Sequence, residues 1–202
     1  MKVVLINGSP HRKGNTFIAL SEVAGALEKE GVQTEIIQLG IKAVQGCIAC
    51  NKCAELGHCV FQDTLYNQVR EACHEADGIV VCSPLYYAGP NGALCALLDR
   101  VFYSCSELLA YKAGASVAVC RRGGASATFD RLNKYFTILN MPVVSSQYWN
   151  SVHGMRPGEA TEDAEGLQTM RMLGRNMAWL LKGVKREERP EPELRVMTNF
   201  IR

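Results

Sequence analysis

The chain has 202 residues, 48% of them hydrophobic and 21% charged, with a mean hydropathy of -0.03, which is the size and balance of one globular domain with a full core. Its 22 basic and 20 acidic residues are mixed along the chain and leave a net charge of +2, so no basic footprint for nucleic acid stands out. The opening MKVVLIN is too short an apolar run for a signal peptide, and no later run reaches the roughly 18 apolar residues of a membrane span, so the expectation is a cytoplasmic protein with neither nucleic-acid nor membrane partner.

Residues 3–7 form a β-branched run closed by Gly8, Ser9 and Pro10, which suits a buried strand. The spacing of Phe17, Leu20, Val23, Ala24 and Leu27 predicts a helix over 16–30, and the strand signal returns at 33–39. Next comes GCIACNKCAELGHC at 46–59, with four cysteines in thirteen positions. A helix is predicted over 63–76, a third strand at 78–82 ending at Ser83 and Pro84, and a helix over 92–106. Strands at 115–120 and 142–146 and helices at 125–140 and 161–181 complete the pattern. Strand and helix thus alternate five times, which predicts an α/β fold with a five-stranded parallel sheet covered by helices on both faces, since parallel strands need crossover connections. Ligands then belong beyond the strands' carboxyl ends.

The polar segment 185–193, with Pro190 and Pro192, ends the last helix. It divides a domain at 1–184, carrying a cysteine-rich insertion at about 46–60, from a tail at 185–202. The apolar tail residues Leu194, Val196, Met197, Phe200 and Ile201 suggest docking on the body or on a neighbouring subunit. The charges of 185–189 are balanced in sign and read as a solvated helix end.

Two loops stand where a ligand would bind. The first, GSPHRKGNT at 8–16, lies between the first strand and the first helix, where backbone N–H groups and the helix dipole favour an anion. Ser9, Asn15 and Thr16 add side-chain donors, and Arg12 and Lys13 add charge. The loop is neither a Walker A sequence nor G-x-G-x-x-G, so it suits a monophosphate better than a nucleoside triphosphate or a dinucleotide. Read alone, it serves equally as a turn and helix cap. The second loop, SPLYYAGPNG at 83–92, follows the third strand and opens beside the first loop, with two tyrosines able to flank a planar ring.

With INGSPHRKGNT at 6–16, SPLYYAGPNGALCALLDR at 83–100, Arg121-Arg122-Gly123-Gly124 after the fourth strand and TNFIR at 198–202, the chain resembles the NAD(P)H-dependent FMN reductases of the flavodoxin-like superfamily over nearly its whole length. The resemblance implies a doubly wound, flavodoxin-like fold and FMN rather than FAD. It also implies that Ser9, Arg12, Asn15 and Thr16 hold the phosphate, that Pro84, Leu85, Tyr86, Tyr87 and Asn91 hold the ribityl chain and ring, and that Arg121, Arg122 and Gly123 meet the ring's far edge. One departure is Leu94-Cys95-Ala96, where many relatives have a lysine before the pair that is Asp99-Arg100 here.

Nine cysteines in a reducing compartment argue against a disulfide framework. The spacing C-x2-C-x2-C-x5-C keeps the compact three-cysteine run that wraps a cubane, although its final gap is not the x3 of bacterial ferredoxins. Tetrahedral zinc, a redox disulfide at Cys47/Cys50 or Cys50/Cys53, and a loop without metal stand as alternatives. Within the flavodoxin-like group this stretch resembles that of the iron–sulfur flavoproteins, which implies Cys47, Cys50, Cys53 and Cys59 as ligands of a [4Fe-4S] cluster. Cys73, Cys82, Cys95, Cys105 and Cys120 read as small apolar residues, and His11, His58, His74 and His153 show no metal spacing.

The expected function is therefore an FMN-dependent NAD(P)H oxidoreductase that can pass electrons through a [4Fe-4S] cluster. The alternative is an FMN and iron–sulfur electron carrier that turns over no small substrate of its own. Small-molecule or protein electron donors and acceptors are the expected partners. A homodimer or homotetramer is expected because the cysteine loop and apolar tail protrude.

Overall fold

The computed structural model describes residues 1–184 and 190, so the tail, its apolar residues and TNFIR lie outside the described residues apart from Pro190. Its elements in chain order are β1 (Lys2–Asn7), α1 (Asn15–Lys29), β2 (Gln33–Gln38), α2 (Cys53–Leu56), α3 (Thr64–Glu75), β3 (Gly78–Tyr86), β4 (Gly89–Pro90), α4 (Gly92–Ser104), α5 (Ser106–Leu109), β5 (Ala113–Cys120), α6 (Ala125–Thr137), β6 (Ser151–His153) and α7 (Ala164–Val184). A 3-10 turn at Glu159–Glu162 precedes α7.

Val3, Val4, Leu5 and Ile6 are all fully buried, as is the run Ile79, Val80 and Cys82. Such unbroken apolar runs, rather than alternating ones, are what strands buried on both faces require. The sheet order is β2-β1-β3-β5-β6 with every one of these neighbours parallel, and β4 pairs antiparallel with the end of β3. This is the doubly wound arrangement expected, with the order reversing between β1 and β3.

Two hydrophobic clusters fill the faces. On one, Leu20, Val23 and Leu27 of α1 and Met170, Leu173 and Met177 of α7 cover Val3, Leu5, Val80 and Val117. Gly174 lets α7 and α1 meet, since a Cβ there would stand 2.7 Å from Ala26 Cβ. On the other face, Tyr66 and Val69 of α3, Leu94, Leu97 and Leu98 of α4 and Leu132 and Phe136 of α6 cover Val4, Ile6, Ile79 and Val81. No helix among the described residues is long and apolar enough to cross a membrane.

Two sequence expectations need correction. The fifth strand is not at 142–146: there the chain makes an isolated bridge, Gly114 to Val143, leaves the sheet, and returns as β6. At the break the side-chain amide of Asn150, a residue 1% exposed, donates to Ser116 O at 3.1 Å in place of a backbone N–H, and the Asn150 main-chain carbonyl accepts from Ala118 N at 2.9 Å as the ladder resumes. The third strand also runs past residue 82 to Tyr86, because Leu85 and Tyr86 pair with Pro90 and Gly89 in a hairpin.

Candidate functional site

Four turns converge at the carboxyl ends of β1, β3, β5 and β6. In the first, Asn7 at the end of β1 accepts from Ser9 N at 3.1 Å and donates to Gln38 Oε1 at 2.7 Å, while Gln38 Nε2 donates to Ser9 O. Ser9 Oγ accepts from His11 N at 3.1 Å and keeps its own proton to donate. Gly8 is forced, because a Cβ would stand 2.4 Å from Leu94 Cδ2 and 2.8 Å from Cys82 O.

This turn delivers the chain to α1, capped by Gly14 with no side-chain cap and no acidic residue in the first turn. The N–H groups of Asn15 and Thr16 have no acceptor among the described residues, and the Thr16 hydroxyl, in a residue 2% exposed, makes no hydrogen bond there. Open donors at a helix start with the positive end of the dipole form an anion cradle. Arg12 is exposed beside it and without an ion pair among the described residues.

The Asn15 side chain is engaged elsewhere. It donates to Arg156 O at 2.9 Å and accepts from Gly158 N at 3.0 Å and Ala160 N at 3.2 Å, clamping the turn at 154–160 to the start of α1. Sequence reasoning missed this fourth turn, whose signal was the cluster Gly154, Pro157 and Gly158. It also missed the pair Asn7–Gln38.

The second turn is bound to the first by Asn91, which donates to Gly8 O at 2.8 Å and caps α4 by accepting from Ala93 N at 3.0 Å. Ser83 Oγ donates to Pro84 O at 2.8 Å and accepts from Asn91 N at 2.9 Å. At the hairpin tip Tyr87 and Ala88 both have positive φ, 49° and 59°, a left-handed pair that normally asks for Asn-Gly. Tyr87 is fully exposed and Tyr86 nearly half exposed. The third turn carries exposed Arg121, Arg122 and Gly123, neither arginine ion-paired among the described residues. Gly124, at φ 96°, brings it against the hairpin, where a Cβ would stand 2.8 Å from Ala88 Cα. The three predicted loops thus meet beyond the carboxyl ends of β1, β3 and β5, the first tied to the second by Asn91 and the second packed on the third at Gly124.

The cysteine loop lies apart, between β2 and α3. Ala49, Asn51 and Gly57, at φ 53°, 55° and 69°, turn the chain back between successive cysteines. Cys47 Sγ accepts from Ala49 N at 3.4 Å, Cys59 N donates to Tyr66 Oη at 2.8 Å, and Tyr103 Oη donates to Asn51 Oδ1 at 3.0 Å. As a result Cys47, Cys50, Cys53 and Cys59 all line one small hollow of about 20 Å³ with Phe61, Arg100 and Tyr103. Burial pushes the Cys53 thiol up, a backbone N–H opposes this, and the nearby thiols Cys50, Cys47 and Cys59 add to the rise. Among the described residues no group of three or more His, Cys, Asp or Glu is already drawn to metal-binding distances. The four sulfurs share a cavity, with two of them exposed and two half-buried. That donor set, thiolates only, with a backbone N–H turned toward one sulfur, fits a soft metal or iron–sulfur centre.

Beneath the loop Arg100 is buried. It donates to Gln45 O at 3.2 Å and to Phe61 O, and pairs with Asp63 Oδ2 at 2.6 Å. Burial works against its charge, but the nearby Cys59 and Asp63 side chains outweigh this and raise its pKa. Of the other cysteines, desolvation pushes Cys73 up to about 12 and raises Cys82, Cys95 and Cys120 as well.

Residues 1–155 match the family model described as NADPH-dependent FMN reductase. The chain is 36% identical over 194 residues to an iron–sulfur flavoprotein of Methanocaldococcus jannaschii, covering 92% of this chain and 100% of that one. Among solved structures, RosB with a bound flavin-phosphate intermediate superposes with a TM-score of 0.70 at 16% identity, over 98% of this chain and 92% of that one. A flavodoxin from the domain Archaea superposes with a TM-score of 0.60 at 16% identity, over 90% and 99%. At such identities the two structures speak for the flavodoxin-like fold alone.

Proposed function

The chain belongs to the NADPH-dependent FMN reductase family, a family of flavoprotein oxidoreductases, and from that premise we propose that it oxidises NAD(P)H through FMN and passes electrons singly by way of a [4Fe-4S] cluster on Cys47, Cys50, Cys53 and Cys59. The observation that carries the reading is the open start of α1, where among the described residues the Asn15 and Thr16 N–H groups and the Thr16 hydroxyl lack partners in a cradle at the switch point of the sheet.

FMN, when bound, would supply both two-electron and one-electron redox chemistry. The chain's part is to bind and orient. The Ser9 and Thr16 hydroxyls, the Asn15 N–H and Arg12 would hold the phosphate. Asn15 serves through its backbone, since its side chain is committed to the turn at 154–160. Pro84, Leu85, Tyr86, Tyr87 and Asn91 would border the ribityl chain and ring. Arg121, Arg122 and the Gly123 N–H would stabilise negative charge at its polar edge. A cluster on the four thiolates would add one-electron storage. The cysteine hollow fits such a group by its donor set, and the iron–sulfur flavoprotein relative supports it.

A homo-oligomer completes the proposal. Beside the cysteine loop, exposed Tyr103, Leu108 and Ile138 line a groove that a monomer would leave open to water. Sedimentation of FMN-loaded protein should give a dimer or larger; a monomer at micromolar concentration would overturn it.

Anaerobic purification followed by flavin, iron and sulfide assays tests the cofactors, and stopped-flow reduction by NADH and NADPH tests the reaction. Stoichiometric FMN, about four irons per chain and rapid reduction by one nucleotide are expected. A colourless protein that refuses FMN defeats the proposal. Slow reduction by both nucleotides with fast exchange with a ferredoxin would make it an electron carrier.

A further inference from the structure

Arg100 is a fully buried side chain at the heart of the cysteine loop's support. Its guanidinium joins both ends of the loop, Gln45 O before the first cysteine and Phe61 O after the last. The Phe61 and Tyr66 rings lie 5.9 and 4.7 Å from its central carbon. Tyr66 in turn accepts from Cys59 N. Toward the cysteines the same guanidinium lines the hollow. Among the described residues its one carboxylate partner, Asp63, is 47% exposed and so largely screened by water, and its Nε has no hydrogen-bond partner. Its charge is thus held in place chiefly by neutral carbonyls and rings beside one screened carboxylate, so a positive field remains, and the hollow is where an anionic group would meet it.

We propose that Arg100 is the positioning residue of the cysteine loop and the fixed positive charge that sets the midpoint potential of the cluster the loop carries. The inference rests on the cluster reading above. Four thiolates around an iron–sulfur core leave a net negative charge that grows by one on reduction, so a nearby fixed cation favours the reduced form. Taking that charge away should lower the midpoint. Removing Asp63, which partly cancels it, should raise the midpoint. A purely mechanical staple would produce no such opposition of sign.

The test uses anaerobically prepared FMN protein, the parent beside Arg100→Met, Arg100→Lys and Asp63→Asn, with flavin and iron counted and the cluster titrated reductively by EPR. Arg100→Met is expected to lower the reduced-to-oxidised ratio about tenfold at the parent's midpoint, ~59 mV for a one-electron couple. Arg100→Lys keeps the charge and loses the fork, so its midpoint should stay near the parent's while its iron content falls. Asp63→Asn, which retains the cap on α3, should move the midpoint upward. In iron-free protein, tryptic cleavage after the exposed Lys52 should accelerate roughly tenfold in Arg100→Lys, as one charge-assisted hydrogen bond is lost. Coincident midpoints in all variants, or a downward shift in Asp63→Asn, overturn the proposal even if Arg100→Met does not fold. Unchanged iron content and unchanged cleavage in Arg100→Lys overturn the positioning role. A parent that binds FMN but no iron refutes the cluster reading and this inference together, whereas iron-loaded variants that match the parent refute only the inference.

Discussion

The crevice at the sheet's carboxyl edge and the cysteine loop belong to one body but are built by opposite means. At the sheet's edge the donors offered are main-chain N–H groups at the start of α1, on turns fixed between regular elements by Gly8 N donating to Cys82 O at 2.8 Å and by the side chains of Asn7, Asn15 and Asn91. The cysteine loop has one short helix, α2, and is otherwise shaped by left-handed residues and by the side chains of Tyr66, Arg100 and Tyr103. A site made from backbone follows from topology. A site made from side chains follows from a few residues, and single substitutions can erase it.

The largest effect expected from that contrast is on iron. Cys50→Ala should remove the broad visible absorbance of the proposed cluster and reduce iron to background while FMN stays bound, because among the described residues no hydrogen bond of the α1 cradle involves the loop. Flavin and iron assays on one preparation decide it: joint loss of both would show that the two regions are not separable, and parental iron would show that Cys50 is no ligand. On the crevice side, Thr16→Val should weaken FMN by about 1.5–3 kcal/mol if its free hydroxyl meets the phosphate, leaving the iron untouched. Fluorescence titration with FMN reads this directly, and unchanged affinity would move the phosphate away from Thr16.

The same contrast explains what the sequence disclosed. Parallel strands such as 3–7 and 78–82 are continuous apolar runs, so sheet, helices and the two loops after β1 and β3 were legible from pattern alone. The break between 143 and β6 was not, because it depends on one buried asparagine, Asn150, whose side chain satisfies Ser116 O through space. Asn15 was read as a phosphate donor by its place in the loop, yet its side chain reaches 141 residues along the chain to Arg156. The four cysteines declared themselves by spacing. Arg100, which ties their loop down, lies 41 residues beyond Cys59, and no local pattern links the two.

A smaller effect tests whether the crevice is as tolerant as its main-chain frame implies. Ala88 sits left-handed at the hairpin tip, a conformation costing an alanine about 1–2 kcal/mol. Ala88→Gly should therefore stabilise the protein, by about 0.5–1 kcal/mol once glycine's greater unfolded entropy is subtracted. Urea denaturation of the FMN-bound protein measures it. A loss of stability would mean that the methyl's packing against the turn at Gly124 outweighs the relief.

The smallest expected effect is a pH dependence confined to the support of the cysteine loop. Burial alone would raise the pKa of Asp63, but the Tyr66 N–H and the Arg100 guanidinium outweigh it and hold the carboxyl below its ordinary 3.8. A folded-state value below the unfolded one means that the unfolded chain takes up the proton first as acid is added. The contribution is therefore complete at neutral pH, begins to fall near the ordinary value, and is gone once the pH has passed below the folded one. Because the side chain is 47% exposed, screening keeps this term to about 0.5 kcal/mol. Asp63→Asn should flatten the acid limb of the stability curve by that amount, leaving a gap from the parent that is constant from pH 8 to about pH 5 and narrows below about pH 4. Denaturation of FMN-bound protein at closely spaced pH values reads the gap. A gap that stays constant down to pH 3 would show that the Asp63 carboxylate gains nothing from Arg100 in the folded state, and would leave the guanidinium's charge wholly uncompensated beneath the cysteines.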